Sequence, residues 1–262
     1  MFADSPSQLQ LSIVVPAYNE EATLGGVIQK LLRLPNLLEV IVVDDGSKDR
    51  TAEIASQLAG QHSQVRLLRQ DRNRGKTQAV ITGIAATRGD VVVIQDADGE
   101  YDSDEIPELT RPILDGVADV VYGSRFLVRK AARVLYYYHY LANQFLTLFS
   151  NLLTNINLSD VETGYKAFRG DIIRQMIFTS TGFGFEIEVT AKLAKLGCAM
   201  YEVPISYHGR TYEEGKKIGW TDGVAALWYI LKFNFLCSLQ DSYRCVPVLK
   251  GRNLAGLTAS SD

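Results

Sequence analysis

Residues 91–105 read VVVIQDADGEYDSDE: four branched apolar residues run straight into a cluster of carboxylates. A run that is apolar at every position, rather than at alternate ones, fits a strand buried on both faces, as in a parallel sheet covered by helices. Three earlier short runs are also mainly apolar: LSIVVP (11–16), EVIVVD (39–44) and QVRLL (64–68). Between them, Leu24, Val27, Ile28, Leu31 and Leu32 recur at helical spacing, as do Ile54, Ala55 and Leu58, and then Val80, Ile81, Ile84 and Ala85. The order β-α-β-α-β-α-β predicts an α/β fold, a mostly parallel twisted sheet with helices on both faces. Ligands of such sheets bind beyond the carboxyl ends of the strands. AYNEE, DDGSKD, DRNRGK and DADGE each follow a strand, so they are expected on one rim.

Composition narrows the classes. With 262 residues and 47% apolar content the chain can bury a large core. A net charge of −3 with no polybasic block leaves nucleic acid without an electrostatic footprint. Cys198, Cys237 and Cys245 have neither disulfide-framework nor zinc-site spacing, and the N-terminus MFADSPSQLQ lacks the charged start and apolar stretch of a signal peptide. A cytoplasmic setting is expected. The second half is less regular, with an uncharged stretch over 134–159, helices near 171–178 and 186–196, and a strand at 200–203.

Asp96 and Asp98 lie two apart on an extended segment, and a turn at Gly99 can bring both to one point with Glu100 nearby. A hard divalent cation, Mg²⁺ or Mn²⁺, would offset their repulsion; a solvated turn capping the helix that begins near Ser103 is the plainer alternative. Asp44 and Asp45 end the second strand before Gly46, where they suit hydrogen bonds from a base and a ribose, while Ser47 or Asp49 could cap the next helix. Arg72, Arg74 and Lys76 surround Gly75 at a helix start, a setting that favours an anion. A nucleoside diphosphate would satisfy all three groups.

SIVVPAYNEEATL, VIVVDDGSKDRT, NRGKTQAVITGIAATRGDVVVIQDADGEYDSDEIPEL and VVYGSRF together resemble glycosyltransferase family 2, of the GT-A fold, and within it the polyprenyl-phosphate (dolichyl-phosphate-type) mannosyl- and glucosyltransferases. The resemblance covers roughly residues 11–228. It implies that Pro16, Tyr18, Glu20, Val43 and Asp45 hold the nucleoside of a UDP- or GDP-hexose and that Lys76 lies near the base or the diphosphate. It implies Asp96 and Asp98 as the D-x-D metal ligands, with Glu100, where many relatives carry Gln, as a third metal-facing residue. One GT-A domain is expected over 11–237, with a nucleotide-sugar half (11–125), an acceptor half (126–237), and tails at 1–10 and 238–262.

On the acceptor side, a helical wheel places Asn143, Gln144, Thr147, Ser150, Asn151 and Thr154 on one face and Leu135, Leu141, Phe145, Leu146, Leu148, Phe149, Leu152 and Leu153 on the other. Amides in mid-helix argue against a membrane span. The apolar face is expected at a bilayer surface, with the protein core as the alternative. Arg125, Arg129, Lys130 and Arg133 precede it and suit anionic headgroups or the phosphate of a lipid acceptor, and the resemblance implies the latter for Arg125 and Arg133. Val224, Leu227, Trp228, Leu231 and Phe235 form a second stripe, but the C-terminal segment is too polar to span, unlike that of many bacterial relatives.

Asp160 and Glu162 could act as a general base, contact the sugar or serve structure. A hydroxyl acceptor needs such a base; a phosphate monoester does not. His208, Arg210, Lys216 and Lys217 follow the last strand, and the resemblance implies that Arg210 with Lys217 or Lys216 closes over the departing diphosphate. As a lone histidine, His208 reads as structural or as a metal ligand. The expected activity is metal-assisted hexosyl transfer, for which the resemblance implies inversion, to a polyprenyl phosphate. A soluble hydroxyl acceptor and a nucleotide-sugar-binding protein without turnover are the alternatives.

Overall fold

Every residue of the runs in β1 (Leu11–Ala17) and β4 (Val91–Ile94) is buried, and the reason lies in the layers around them. In a computed structural model, which describes residues 9–127, 133, 136–209 and 220–249, the elements follow as β1, α1 (Leu24–Leu31), β2 (Leu37–Asp44), α2 (Thr51–Gln61), β3 (Val65–Arg69), α3 (Lys76–Ala86) and β4. Next come a 3₁₀ turn (Ser103–Glu105), α4 (Ile106–Leu114), β5 (Val120–Ser124) and α5 (Tyr137–Thr154). The chain continues through β6 (Lys166–Arg169), α6 (Gly170–Ile173), α7 (Phe185–Leu196), β7 (Met200–Pro204), α8 (Trp220–Phe235) and α9 (Leu239–Ser242). Ile13, Val15, Val91 and Val93 join one core with Leu24, Ile28, Leu31 and Leu109, while Val14, Val92 and Ile94 join the other with Val80, Ile84, Ile187 and Ile230. Side chains alternate across a strand, so a sheet covered on both faces needs apolar residues at both parities.

The seven strands lie in the order β3-β2-β1-β4-β6-β5-β7. From β1 the chain builds outward to β2 and β3, then returns to place β4 on the other flank, and crevices open at such reversals. Here β1 pairs with β4 only as far as Val14 but with β2 as far as Ala17, so the strands part at the carboxyl end. Pro16, which has no N–H to give a ladder, sits in that unpaired margin. β6 runs antiparallel to both β4 and β5. Its beginning, not its end, therefore reaches the rim, and it brings residues 160–165 there.

The helix expected near 171–178 stops at Ile173, because Met176 leaves it to bridge Tyr243. Beyond α8 the chain returns to the core: Tyr243 is buried, its hydroxyl donates to the Lys192 carbonyl at 3.0 Å, and Leu249 is buried as well.

α5 is inverted relative to an ordinary surface helix. Its buried residues are Leu146, Thr147 and Ser150, and its polar side faces the protein: Asn151 donates to the Leu158 carbonyl at 2.7 Å and accepts from Leu158 N at 3.2 Å. Leu141, Phe145, Leu148 and Leu152 are exposed, the last by 70%. α8 packs beside α5 and also exposes apolar residues, Val224, Trp228, Leu231 and Phe235. No helix among the described residues is long and apolar enough to cross a membrane.

Candidate active site

The rim begins with the loop after β1. Asn19, at φ 55°, donates its backbone N–H to Ser47 Oγ at 3.0 Å and accepts from Lys48 N at 2.9 Å, while Glu20 N donates to Thr51 Oγ1 at 2.8 Å. Tyr18 and Glu20 are thereby fixed beside the end of β2. Val43 is fully buried. The Asp45 carboxylate accepts from Arg74 N at 2.8 Å and Gly75 N at 2.9 Å, so it holds the loop that starts α3. Asp44 accepts from Ser47 N through Oδ1, but its Oδ2, though buried and 3.3 Å from Arg69 Nε, accepts no hydrogen bond from the described residues. Neither Ser47 nor Asp49 occupies the N-cap of α2, which is Arg50; Asp49 nonetheless accepts from Thr51 N at 3.0 Å.

Lys76, the first residue of α3, donates to Asp96 Oδ2 at 2.9 Å and lies 3.6 Å from Glu186 Oε1. Burial works against its charge, but Asp96 and Glu186 outweigh burial and hold the ammonium well above the ordinary lysine range. Asp96 and Asp98 follow β4 directly. Burial, then repulsion from Asp96 and Glu100, pushes the Asp98 carboxyl up to about 7. Glu100 is drawn toward β7: its Oε2 accepts from Tyr207 Oη at 2.8 Å, and its carbonyl accepts from His208 N at 2.9 Å. Among the described residues no three or more His, Cys, Asp or Glu side chains gather closely enough to hold a metal ion. Asp96 and Asp98 are the pair at the strand end, and Glu100 N donates to Asp98 Oδ1 at 3.0 Å.

Arg125, just past β5, is nearly buried. Its Nε and Nη2 donate to the two oxygens of Asp160 at 2.7 and 2.8 Å, Asn143 of α5 donates to the same carboxylate at 3.0 Å, and the guanidinium lies over the Tyr207 ring at 5.2 Å. Asp160 is fully buried; burial would raise its pKa, but Arg125 outweighs this and holds the carboxyl below the usual range. Four residues on, Gly164 N donates to Tyr101 Oη at 3.2 Å, and a Cβ at Gly164 would lie 2.7 Å from Asp96 Oδ2 and 3.0 Å from Lys76 Nζ. Glu162 stands between. Burial and the nearby Glu186 push its carboxyl up to about 7. Arg133 Nη1 donates to the Gly209 carbonyl at 3.3 Å. Arg129, Lys130, Arg210, Lys216 and Lys217 lie outside the described residues.

Carboxylates, a part-buried ammonium and a part-buried guanidinium thus meet on the carboxyl-end rim of this sheet, groups of the kind that hold phosphorylated ligands. The model of glycosyl transferase family 2 matches residues 12–177, and the chain belongs to that family and is a glycosyltransferase of GT-A architecture. Undecaprenyl-phosphate mannosyltransferase of Micrococcus luteus is 30% identical over 225 residues, spanning 84% of this chain and 92% of that one. Polyprenol monophosphomannose synthase of Mycolicibacterium smegmatis is 27% identical over 82% of this chain and 83% of that one. Among solved structures, glucosyl-3-phosphoglycerate synthase of Mycobacterium tuberculosis in complex with UDP superposes with a TM-score of 0.66 at 23% identity, over 86% of this chain and 80% of that chain. The same enzyme has been crystallised with Mn²⁺, UDP-glucose and phosphoglyceric acid.

Reasoning from sequence did not single out Glu186, Tyr101, Tyr207 or Asn143. Glu186 touches Lys76 across 110 positions, so no local pattern marks it. Asn143 appeared only as a member of a polar helix face, and that face turns out to be the inner one.

Proposed function

We propose that the chain transfers a hexose from a UDP- or GDP-linked donor to a polyprenyl phosphate at a membrane surface, with inversion at the anomeric carbon. One observation supports the acceptor assignment above the others. The inner face of α5 supplies Asn143 to the Asp160–Arg125 pair, while its outer face exposes Leu141, Phe145, Leu148 and Leu152. A cation that could take a phosphate therefore lies behind a helix whose apolar side suits a bilayer surface. The polyprenyl-phosphate acceptors in the names of the relatives agree with that pairing.

The nucleoside lies against Pro16, Tyr18 and Glu20, while Val43, expected there as well, is fully buried and supports that wall from within the core. Asp45 is the carboxylate that accepts from the nucleoside: Arg74 N and Gly75 N take one bond on each of its oxygens and leave further lone pairs, whereas Asp44 is fully buried with Oδ2 3.3 Å from Arg69 Nε. Lys76 faces the diphosphate. Asp96 and Asp98 suit Mg²⁺ or Mn²⁺, which needs only one or two protein carboxylates and takes its other oxygens from water and phosphate; the repulsion felt by buried Asp98 is what such an ion would relieve. When bound, the ion supplies charge stabilisation to the leaving diphosphate. Arg210 and Lys217 share that duty from the segment after β7. Glu100, held by Tyr207, orients the wall between Asp98 and Arg125.

Asp160 takes two of the five N–H donors of Arg125, and the others serve the acceptor phosphate, with Arg133 nearby. An oxygen of that phosphate attacks the anomeric carbon, and the bond from that carbon to the donor diphosphate breaks with its electron pair on the nucleoside diphosphate. The acceptor is already an anion near neutral pH, so no residue need remove a proton. Asp160 accordingly serves as a positioning residue. To test this, UDP- and GDP-hexoses are incubated with Mg²⁺ or Mn²⁺ and a short-chain polyprenyl phosphate and followed by mass spectrometry. A polyprenyl-phosphate hexose and the nucleoside diphosphate are expected in equal amounts. Donor hydrolysis alone, or transfer only to soluble hydroxyl compounds, would overturn the reading.

A further inference from the structure

The segment from Asp160 to Gly164 joins the two ends of the site. At one end Asp160 grips Arg125, and at the other Gly164 lies against Asp96 and Lys76. Four residues of chain span at most about 14 Å. A donor diphosphate at Lys76 and an acceptor phosphate at Arg125 would leave the transferred sugar alongside the middle of this segment, which is Glu162.

Three features of Glu162 are unexplained by the fold. Its Oε1 is buried yet accepts no hydrogen bond from the described residues, and such oxygens are uncommon in folded proteins. The nearest buried ammonium is turned elsewhere: Lys166 Nζ donates to the Val161 carbonyl at 3.1 Å and to the Thr163 carbonyl, and it lies 4.4 Å from the Tyr122 ring centre. Lys166 thus braces the residues on either side of Glu162 and leaves Glu162 Oε1 without a hydrogen bond among the described residues. Finally, Glu186 on the first turn of α7, which lies 3.6 Å from Lys76, is the principal charge acting against Glu162, so the like-charged carboxyl that bears on Glu162 is itself drawn to the cation at the diphosphate end. Sugar hydroxyls suit an oxygen left in the state of Glu162 Oε1. They donate hydrogen bonds to carboxylate oxygens, and a carboxyl group can engage two neighbouring hydroxyls at once.

We propose that Glu162 reads the hydroxyl pattern of the transferred hexose and so sets donor-sugar selectivity. The proposal rests on the hexosyl-transfer reading above. It gives Glu162 a substrate contact distinct from the diphosphate and from the acceptor.

The test compares wild type with Glu162→Gln and Glu162→Asp in two measurements. Calorimetry gives the affinity for the nucleoside diphosphate and for the nucleotide hexose, both with Mg²⁺; kcat/KM is then measured for the preferred donor, its epimers and its single-deoxy analogues. Each variant is expected to keep the affinity for the nucleoside diphosphate within about twofold. Glu162→Gln is expected to lose about 10- to 100-fold in kcat/KM for the preferred donor, the range for a hydrogen bond to a charged group, and to stop distinguishing that donor from one deoxy analogue or epimer. Glu162→Asp should recover part of that selectivity. An unchanged selectivity ratio at reduced activity would overturn the proposal and leave Glu162 structural; an equal loss of nucleoside diphosphate affinity would overturn it by placing Glu162 in the diphosphate site. If wild type transfers no hexose, the hexosyl-transfer reading fails, and calorimetry decides alone: equal affinity of wild type and Glu162→Gln for the nucleotide hexose would still reject the sugar contact.

Discussion

Three residues carry the sharpest expectations. Asp160 is fully buried, and removing one partner of a buried ion pair leaves the other charge uncompensated, at a cost of about 3–5 kcal/mol. Asp160→Ala should therefore lower the unfolding free energy by about that amount in urea titrations and also abolish transfer, because Arg125 loses its anchor. For Glu162, the folded chain holds its proton up to about 7, whereas an unfolded glutamate releases it near 4.5. The folded state binds more protons between those values, so this contribution to stability is fully present below pH 4.5 and is lost as pH rises through 7. Glu162→Gln should accordingly melt higher than wild type at pH 8, with the gap closing near pH 4 in scanning fluorimetry. Gly164→Ala would meet the ends of two flexible side chains rather than backbone. Its melting temperature should stay within a few degrees, while transfer falls because Lys76 and Asp96 are pushed apart. The carboxylates after β2 and β4 were legible in the sequence because turn chemistry and strand ends announce them. Glu186 was not, since only the meeting of the starts of α3 and α7, where Phe185 N donates to Thr77 Oγ1 at 3.2 Å, brings it to Lys76.

Among the elements, legibility followed the match between residue type and environment. The first four strands are mostly apolar and could be read directly. β6 (KAFR) could not, because Lys166 within it is fully buried and Arg169 closes it, so the segment looks like a polar loop until the ion and carbonyl partners of those residues are known. The wheel of α5 grouped Leu141, Phe145, Leu148 and Leu152, which are exposed, but put with them Leu146, Phe149 and Leu153, which pack on the core, and it could not say which face the protein keeps. The hydrogen bonds of Asn151 with both backbone groups of Leu158 explain the answer, because they tie the polar face to the strand-entry segment. Asn151→Leu removes both and leaves the Leu158 carbonyl and N–H unpaired. Loss of about 2–4 kcal/mol is expected in denaturant titrations, together with faster amide exchange at residues 158–160.

At the scale of the whole molecule, one face formed by α5 and α8 exposes large apolar side chains while the nucleotide-facing rim is charged. The proposed acceptor unites the two. Wild type should sediment with vesicles containing anionic lipid, and the combined substitutions Phe145→Asp, Leu148→Asp and Trp228→Asp should abolish that binding while leaving turnover of a short, water-soluble acceptor phosphate within about threefold; sedimentation unaffected by these changes would exclude this face. The account depends most on Asp96 and Asp98 holding a divalent ion against a nucleoside diphosphate. Electron paramagnetic resonance of Mn²⁺ titrated into the protein with UDP or GDP addresses that directly, using Asp98→Asn as the comparison. The account predicts that wild type immobilises one Mn²⁺ per chain in the presence of nucleotide and that Asp98→Asn weakens this by at least tenfold. Equal Mn²⁺ binding by the two proteins would contradict it.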